Sequence, residues 1–60
     1  MNDKDNYKIS ILVEEASWRY KLGHKTKITA LTEAIEDLQK KSPDLNWTDE
    51  SLMFKALMAL

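Results

Sequence analysis

The feature that most constrains this chain is the lack of any covalent or metal staple at a length of only 60 residues. A chain this short buries only about 60% of the surface that its unfolded form exposes, so apolar burial barely outweighs the entropy lost on folding. Natural domains of this size use disulfides, a structural metal or a second subunit. With no cysteine and a single histidine, His24, neither a disulfide nor a zinc site is available. We therefore expect a homodimer that needs no metal or other cofactor.

The composition is typical of a globular protein. Hydrophobic residues make up 43% of the chain and charged residues 32%, with one glycine and one proline. The apolar stretch at residues 9–13 is short, is interrupted by Ser10 and follows charged residues, so it resembles neither a signal peptide nor a membrane span. We expect a cytoplasmic protein that does not associate with membranes.

Side chains suited to catalysis are scarce. His24 is the single histidine, the residue type most often used as a general acid or base, and it lies in a short basic turn where we expect it to be exposed. Neighbouring carboxylates such as Glu14 and Glu15 point apart on a helix and cannot act as a pair. A chain with one glycine cannot form a glycine-rich phosphate loop. The sequence therefore predicts a protein that is not an enzyme and has no small-molecule substrate.

Charge is distributed unevenly along the chain, although the net charge is only −1. Residues 8–27 carry five basic and two acidic side chains, whereas residues 28–60 carry three basic and six acidic ones. A basic first half is suited to phosphate, and an acidic second half would repel it. The same distribution is also typical of an ordinary solvated surface, so both interpretations stay open.

Residues 7–13 fit two secondary structures equally well. Tyr7, Ile9 and Ile11 alternate along the chain, which is the spacing of a strand. Apolar residues three and four positions apart also form one face of a helix that runs to Leu22, namely Ile9, Leu12, Val13, Ala16 and Tyr20. The choice between strand and helix in this stretch decides the fold.

The rest of the sequence predicts two helices. Gly23 ends the first unit, since glycine readily adopts the left-handed conformation that terminates helices. Thr26 is the predicted N-cap of a second helix, which keeps helical apolar spacing to Leu38 and stops before Pro43. Thr48 is the predicted N-cap of a third helix, with acidic residues in its first turn.

The third helix is apolar on nearly every side, because only Lys55 interrupts the apolar residues after Ser51. Such a helix has to be covered on nearly every side, and a short chain has little with which to cover it. We therefore predict that residues 42–60 bind a protein partner, with aromatic, methionine and leucine anchors. The predicted partner-binding residues are Trp47, Leu52, Met53, Phe54, Leu57, Met58 and Leu60.

Residues 23–38, GHKTKITALTEAIEDL, resemble the second half of ribbon-helix-helix DNA-binding proteins, especially the VapB-type antitoxins. The shared features are a glycine turn, a Lys-Thr pair that opens the second helix, and a Glu-Ala, aliphatic, two residues, Leu pattern. The resemblance implies that residues 8–11 form a strand that pairs with that of a second copy and enters the major groove, while the start of the second helix holds a phosphate. It implies DNA contacts by Lys8, Ser10, Lys25, Thr26 and Lys27, and a toxin-like partner for the tail.

Two architectures follow. The first is mainly α and ribbon-helix-helix-like, and it is dimeric, with a flexible tail at residues 1–6, a core at residues 7–41 and a partner-binding helix at residues 42–60. This architecture predicts an antitoxin-like regulator of transcription that binds operator DNA. The alternative is an all-α three-helix protein or helical hairpin, whose first helix runs from about Asn6 to Leu22 and which binds protein but no DNA.

Overall fold

The stretch with two competing periodicities is helical. The computed structural model describes the backbone of residues 3–60 and the side chains of residues 6–60, and α1 extends over Asp3–Leu22. The strand predicted at residues 8–11 is therefore wrong, and no strand is present within residues 3–60. The all-α alternative is confirmed as a three-helix fold, with α2 at Lys27–Lys41 and α3 at Glu50–Ala59. Because α1 begins at Asp3, it overlaps the predicted tail, of which Met1 and Asn2 lie outside the described residues.

The helical register places the apolar side chains of α1 in the core. Leu12 and Ala16 are fully buried in the helical register, and Ile9, Val13 and Tyr20 pack against the same core. A strand that turned Ile9 inward would have turned Leu12 outward, since strand side chains alternate between faces. A helix also pairs its own backbone groups, whereas a lone strand needs a second strand to do so.

The turn between α1 and α2 differs in detail from the prediction. His24, with φ of 53°, is the left-handed residue, and Gly23 has an ordinary negative φ. The Gly23 amide donates to the Arg19 carbonyl at 3.0 Å, which closes α1. A Cβ at Gly23 would lie 2.6 Å from that carbonyl oxygen. Glycine is therefore required for the close approach of two backbone segments, while histidine is one of the residues that tolerate the left-handed region.

The caps of the other helices follow from short polar side chains. Thr26 is the N-cap of α2, as predicted, and its side-chain oxygen accepts from the Thr29 amide at 3.1 Å. The N-cap of α3 is Asp49 rather than Thr48, because the Asp49 carboxylate accepts from the Ser51 amide at 2.9 Å. The Thr48 hydroxyl donates to the Asn46 side-chain oxygen instead.

The core lies where the three helices meet. It consists of Leu12, Ala16, Ala30, Leu31, Ala34, Ile35, Leu38, Trp47, Leu52 and Ala56. Trp47, from the connection between α2 and α3, is only 1% exposed, and its Nε1 donates to the Ser42 carbonyl at 3.0 Å. Fully buried alanines on all three helices allow the backbones to approach each other closely. The radius of gyration, 10.6 Å, is near the roughly 10 Å expected for a compact chain of this length.

Candidate functional site

An apolar groove lies between α2 and α3. It arises because α1 packs against both other helices, which contact each other less closely. Its volume is about 290 Å³. The groove is lined by Ile28, Leu31 and Thr32 from α2 and by Glu50, Met53, Phe54 and Leu57 from α3. Thr32 and Glu50 are the polar members of this lining, so the surface offered to a ligand is mostly hydrocarbon.

Two large apolar side chains border this groove without being covered. Phe54 is 69% exposed and Ile28 is 66% exposed, whereas Leu31 is buried beneath them. Met58, one turn after Phe54, extends the exposed apolar surface along α3. Full burial of a side chain of this size is worth roughly 1.5–3 kcal/mol. A ligand that covers Phe54 and Ile28 would therefore gain a substantial part of its binding free energy there.

The groove has an acidic side. Glu50 contributes to its wall, and among the side chains of residues 6–60 no lysine or arginine forms an ion pair with it. Asp49 precedes it as the cap of α3. The Glu50 carboxylate in the lining disfavours phosphate and favours a cationic ligand group.

The predicted partner-binding residues separate into two groups. Trp47 and Leu52 belong to the core of the chain itself and are not accessible to a partner in this fold. Phe54 and Met58 are exposed, and the remaining three, Met53, Leu57 and Leu60, are half-buried. The structure thus brings Met53, Phe54 and Leu57 together in the groove. It adds Ile28, Leu31, Thr32 and Glu50, which the sequence analysis did not assign to a partner site.

The predicted DNA-binding residues are spread over two places. Lys8 and Ser10 lie on α1, whereas Lys25, Thr26 and Lys27 lie in or beside the turn that precedes α2. Lys8 precedes the end of α1 by about four turns, or roughly 20 Å along the helix axis. The structure therefore does not bring these five residues together.

The residues of the turn already have contacts within the chain. Lys25 Nζ forms an ion pair with Glu33 at 2.5 Å, and Lys27 Nζ lies 5.7 Å from the centre of the Tyr20 ring. The Thr26 hydroxyl oxygen caps α2. Binding a phosphate at this turn would compete with these contacts.

A polar cluster that the sequence analysis did not identify joins α1 to α2. Arg19 is only 8% exposed and donates to the Glu15 carbonyl at 2.6 Å, to the Glu15 carboxylate at 3.1 Å and to the Asp37 carboxylate at 2.9 Å. Its guanidinium carbon lies 4.2 Å from the centre of the Trp18 ring. Lys41 also contacts Asp37 at 3.4 Å. The cluster satisfies a buried cation and so has a structural role.

The cluster holds both of its carboxyl groups in the ionised form. Hydrogen bonds from Arg19 and then Trp18 lower the pKa of Glu15 below its ordinary value. The positive charge and hydrogen bond of Lys41, followed by the charge of Arg19, lower the pKa of Asp37. A carboxyl whose pKa is lowered in the folded state stabilises the fold above its ordinary pKa and loses that contribution as the pH falls.

We expect the cluster to make folding stability sensitive to acid. Stability should fall as the pH drops below about 4, the ordinary range of carboxyl groups. In this range the unfolded chain binds protons at Glu15 and Asp37, whereas the folded chain binds them only at a lower pH, so acid favours unfolding. Asp37→Asn should reduce the difference between the urea midpoints at pH 7 and pH 3. Glu36→Gln, at an exposed neighbouring carboxylate, is the matched control and should preserve this difference. An Asp37→Asn protein with the full wild-type pH dependence would contradict this role.

The described residues were also compared with the requirements of a metal site and of a membrane-spanning helix. Within residues 6–60, histidine, aspartate and glutamate side chains do not gather in groups of three or more that could hold a metal ion. None of the three helices is both long enough and apolar enough to cross a membrane, as far as residues 3–60 are concerned.

Comparison with protein-family models, with curated proteins and with solved structures found no match. The resemblance of residues 23–38 to ribbon-helix-helix proteins accordingly stays a prediction. The geometry and chemistry of the groove are therefore the basis for a proposed function.

Proposed function

We propose that this chain is a non-catalytic protein-interaction module that binds a partner protein in the groove between α2 and α3. The observation that supports the proposal best is the pair of exposed apolar side chains, Phe54 and Ile28, on the rim of a mostly apolar groove. Contiguous exposed apolar surface on a small protein is typical of interaction sites.

The chemistry of the groove favours protein over the other ligand classes. Nucleic acid is bound through basic side chains, and the charged residue of this groove is the acidic Glu50. Small-molecule sites enclose most of the ligand surface. This groove is open, since Phe54 and Ile28 remain largely exposed on its rim. Apolar side chains of another protein would cover such a surface better.

Phe54→Asp should abolish capture of the partner. The substitution places a charge where apolar side chains would be buried, and 69% exposure of Phe54 in the free protein means that the fold should tolerate it. The immobilised wild-type and variant chains can be compared by pull-down from cells that contain the protein, followed by binding measurements with the purified captured protein. Tyr7→Asp, at an exposed aromatic residue on α1 outside the groove, is the matched control and should preserve binding.

A partner that binds Phe54→Asp as tightly as the wild type would contradict the proposal. Operator-type DNA binding, the other predicted function, is tested on the same preparations by electrophoretic mobility shift. A DNA complex that is lost in Lys8→Ala and Lys27→Ala, but kept in Phe54→Asp, would favour the regulator instead.

We also retain the expected homodimer as a proposal. A stable interface buries about 800 Å² of each subunit, which is nearly a fifth of the 4344 Å² accessible surface of this chain. Because the groove is assigned to the partner protein, a dimer would use the exposed apolar residues of α1, such as Trp18 and Leu22. Sedimentation equilibrium at micromolar concentration measures the association, and a stable monomer would contradict it.

A further inference from the structure

We infer that the occupant of the groove is a single amphipathic helix whose apolar stripe is flanked by a lysine or arginine that pairs with Glu50. This inference rests on the proposed function and adds to it the shape and the charge of the partner segment.

The dimensions of the groove fit one helix. Its α3 wall is formed by Glu50–Ala59, a helix of 10 residues. At a rise of 1.5 Å per residue this wall is roughly 15 Å long, so a helix lying along it presents about three turns. Three turns place apolar side chains at positions i, i+3 or i+4, and i+7 toward the groove. Those anchors would contact Ile28, Met53 and Phe54.

The negative charge of the groove favours a basic residue beside the apolar stripe of the partner helix. A helix lying over Phe54 and Leu57 removes water from the neighbouring carboxylate of Glu50, which is costly unless a cation replaces the water. A basic residue on the partner helix would supply that cation.

The chain itself does not supply this cation within its described side chains. Lys25 and Lys41 form ion pairs with Glu33 and Asp37. Lys55, five positions after Glu50, projects from a different side of α3 because each residue turns the helix by about 100°. Lys40 borders a separate depression with Glu36, Gln39 and Thr48, about two turns beyond Thr32. Lys27, which precedes Ile28, lies 5.7 Å from the centre of the Tyr20 ring, and among the side chains of residues 6–60 no lysine or arginine forms an ion pair with Glu50. We therefore expect the compensating charge to come from the partner.

The test uses two fluorescein-labelled synthetic helical peptides with the full-length protein. Both peptides carry leucines at i, i+3, i+4 and i+7, and they differ only in arginine or glutamate at the positions flanking this stripe. Fluorescence anisotropy at low salt should give about fivefold tighter binding of the arginine peptide, the upper end for a solvent-accessible ion pair. Added salt should reduce this difference.

Variants of the protein assign the preference to Glu50. Glu50→Gln should remove the difference between the peptides, and Glu50→Lys should reverse it in favour of the glutamate peptide. Glu14→Lys makes the same charge change at an exposed carboxylate on α1 and should leave the arginine preference intact. Circular dichroism verifies that each variant keeps its helices, and Glu50→Gln remains informative if the lysine variant unfolds α3.

The outcomes separate this inference from the proposed function. Equal binding of both peptides, lost in Phe54→Asp, would overturn the charge preference and leave the groove as a protein-binding site. Failure of the wild type to bind either peptide would overturn the inference that the occupant is a helix. The pull-down with Phe54→Asp tests independently whether the groove binds a protein. An arginine preference that survives Glu50→Gln would also overturn the assignment.

Discussion

Replacing Trp47 with alanine should leave most of the protein unfolded at room temperature. Truncation of a buried aromatic side chain costs about 3–5 kcal/mol, and a single core in a chain this short rarely supplies more than about 3–5 kcal/mol in total. Trp47 is 1% exposed, and its indole also donates a hydrogen bond to the Ser42 carbonyl that ends α2. The substitution removes both contributions. Far-ultraviolet circular dichroism and urea titration measure the loss.

Two matched variants separate the contributions of this residue. Trp47→Phe keeps much of the ring but loses the indole donor, so it should be destabilised by about 0.5–1.5 kcal/mol, the usual worth of one hydrogen bond, because the Ser42 carbonyl still accepts from the Leu45 amide at 3.2 Å. Trp18→Ala, at a half-exposed tryptophan on α1, should have a much smaller effect than Trp47→Ala. A cooperative Trp47→Ala transition with the wild-type urea midpoint would show that Trp47 does not hold the α2–α3 connection in the core.

The second large effect is expected at Leu12. Leu12→Ala should destabilise the fold by about 2–5 kcal/mol, the range for a leucine truncated in a close-packed core. Leu12 is fully buried at the middle of α1. In a ribbon that turned Ile9 and Ile11 inward, Leu12 would point outward and its truncation would be mild. Urea unfolding of this variant therefore also distinguishes the two architectures.

Leu22→Ala is the matched control for this experiment, because it makes the same chemical change at the end of the same helix. Leu22 is 77% exposed, and surface substitutions usually change stability by no more than about 0.5 kcal/mol. Equal destabilisation by Leu12→Ala and Leu22→Ala would contradict the packing of α1 described above.

Some of this fold could be predicted because local signals agreed with one another. In α2, the Thr26 cap, the helical spacing of apolar residues up to Leu38, and the stop before Pro43 all indicate the same helix. Tertiary contacts therefore did not have to overcome a competing local preference. The first helix of the all-α alternative ends at Leu22, where α1 ends.

Residues 7–13 could not be assigned from the sequence, since both registers place apolar residues on one face. The decision depends on which face the other two helices cover, and this is information that residues 7–13 do not contain. Trp47 was assigned to a partner surface for a related reason. Its place next to the start of α3 does not reveal that the connection folds back over the core, where its indole donates to the Ser42 carbonyl.

The candidate site was predicted only on its α3 side. Met53, Phe54 and Leu57 stood out in an almost continuous apolar run, whereas Ile28 stood among polar residues at the start of α2. Arg19 was missed in the core, although it lies three and seven positions after Ala16 and Leu12, on the same helical face. That spacing is a usable signal for a buried arginine, provided that the face is already known to be internal.

The helical state of residues 7–13 is the claim on which the groove, the core and the proposed function all depend. Backbone ¹³Cα and ¹³Cβ chemical shifts of the isotope-labelled protein measure it directly. We expect a continuous run of helical shifts from Tyr7 through Leu22, with helical amide–amide contacts between successive residues. Extended-chain shifts at Ile9, Ser10 and Ile11, with contacts to the same residues of a second copy, would contradict it.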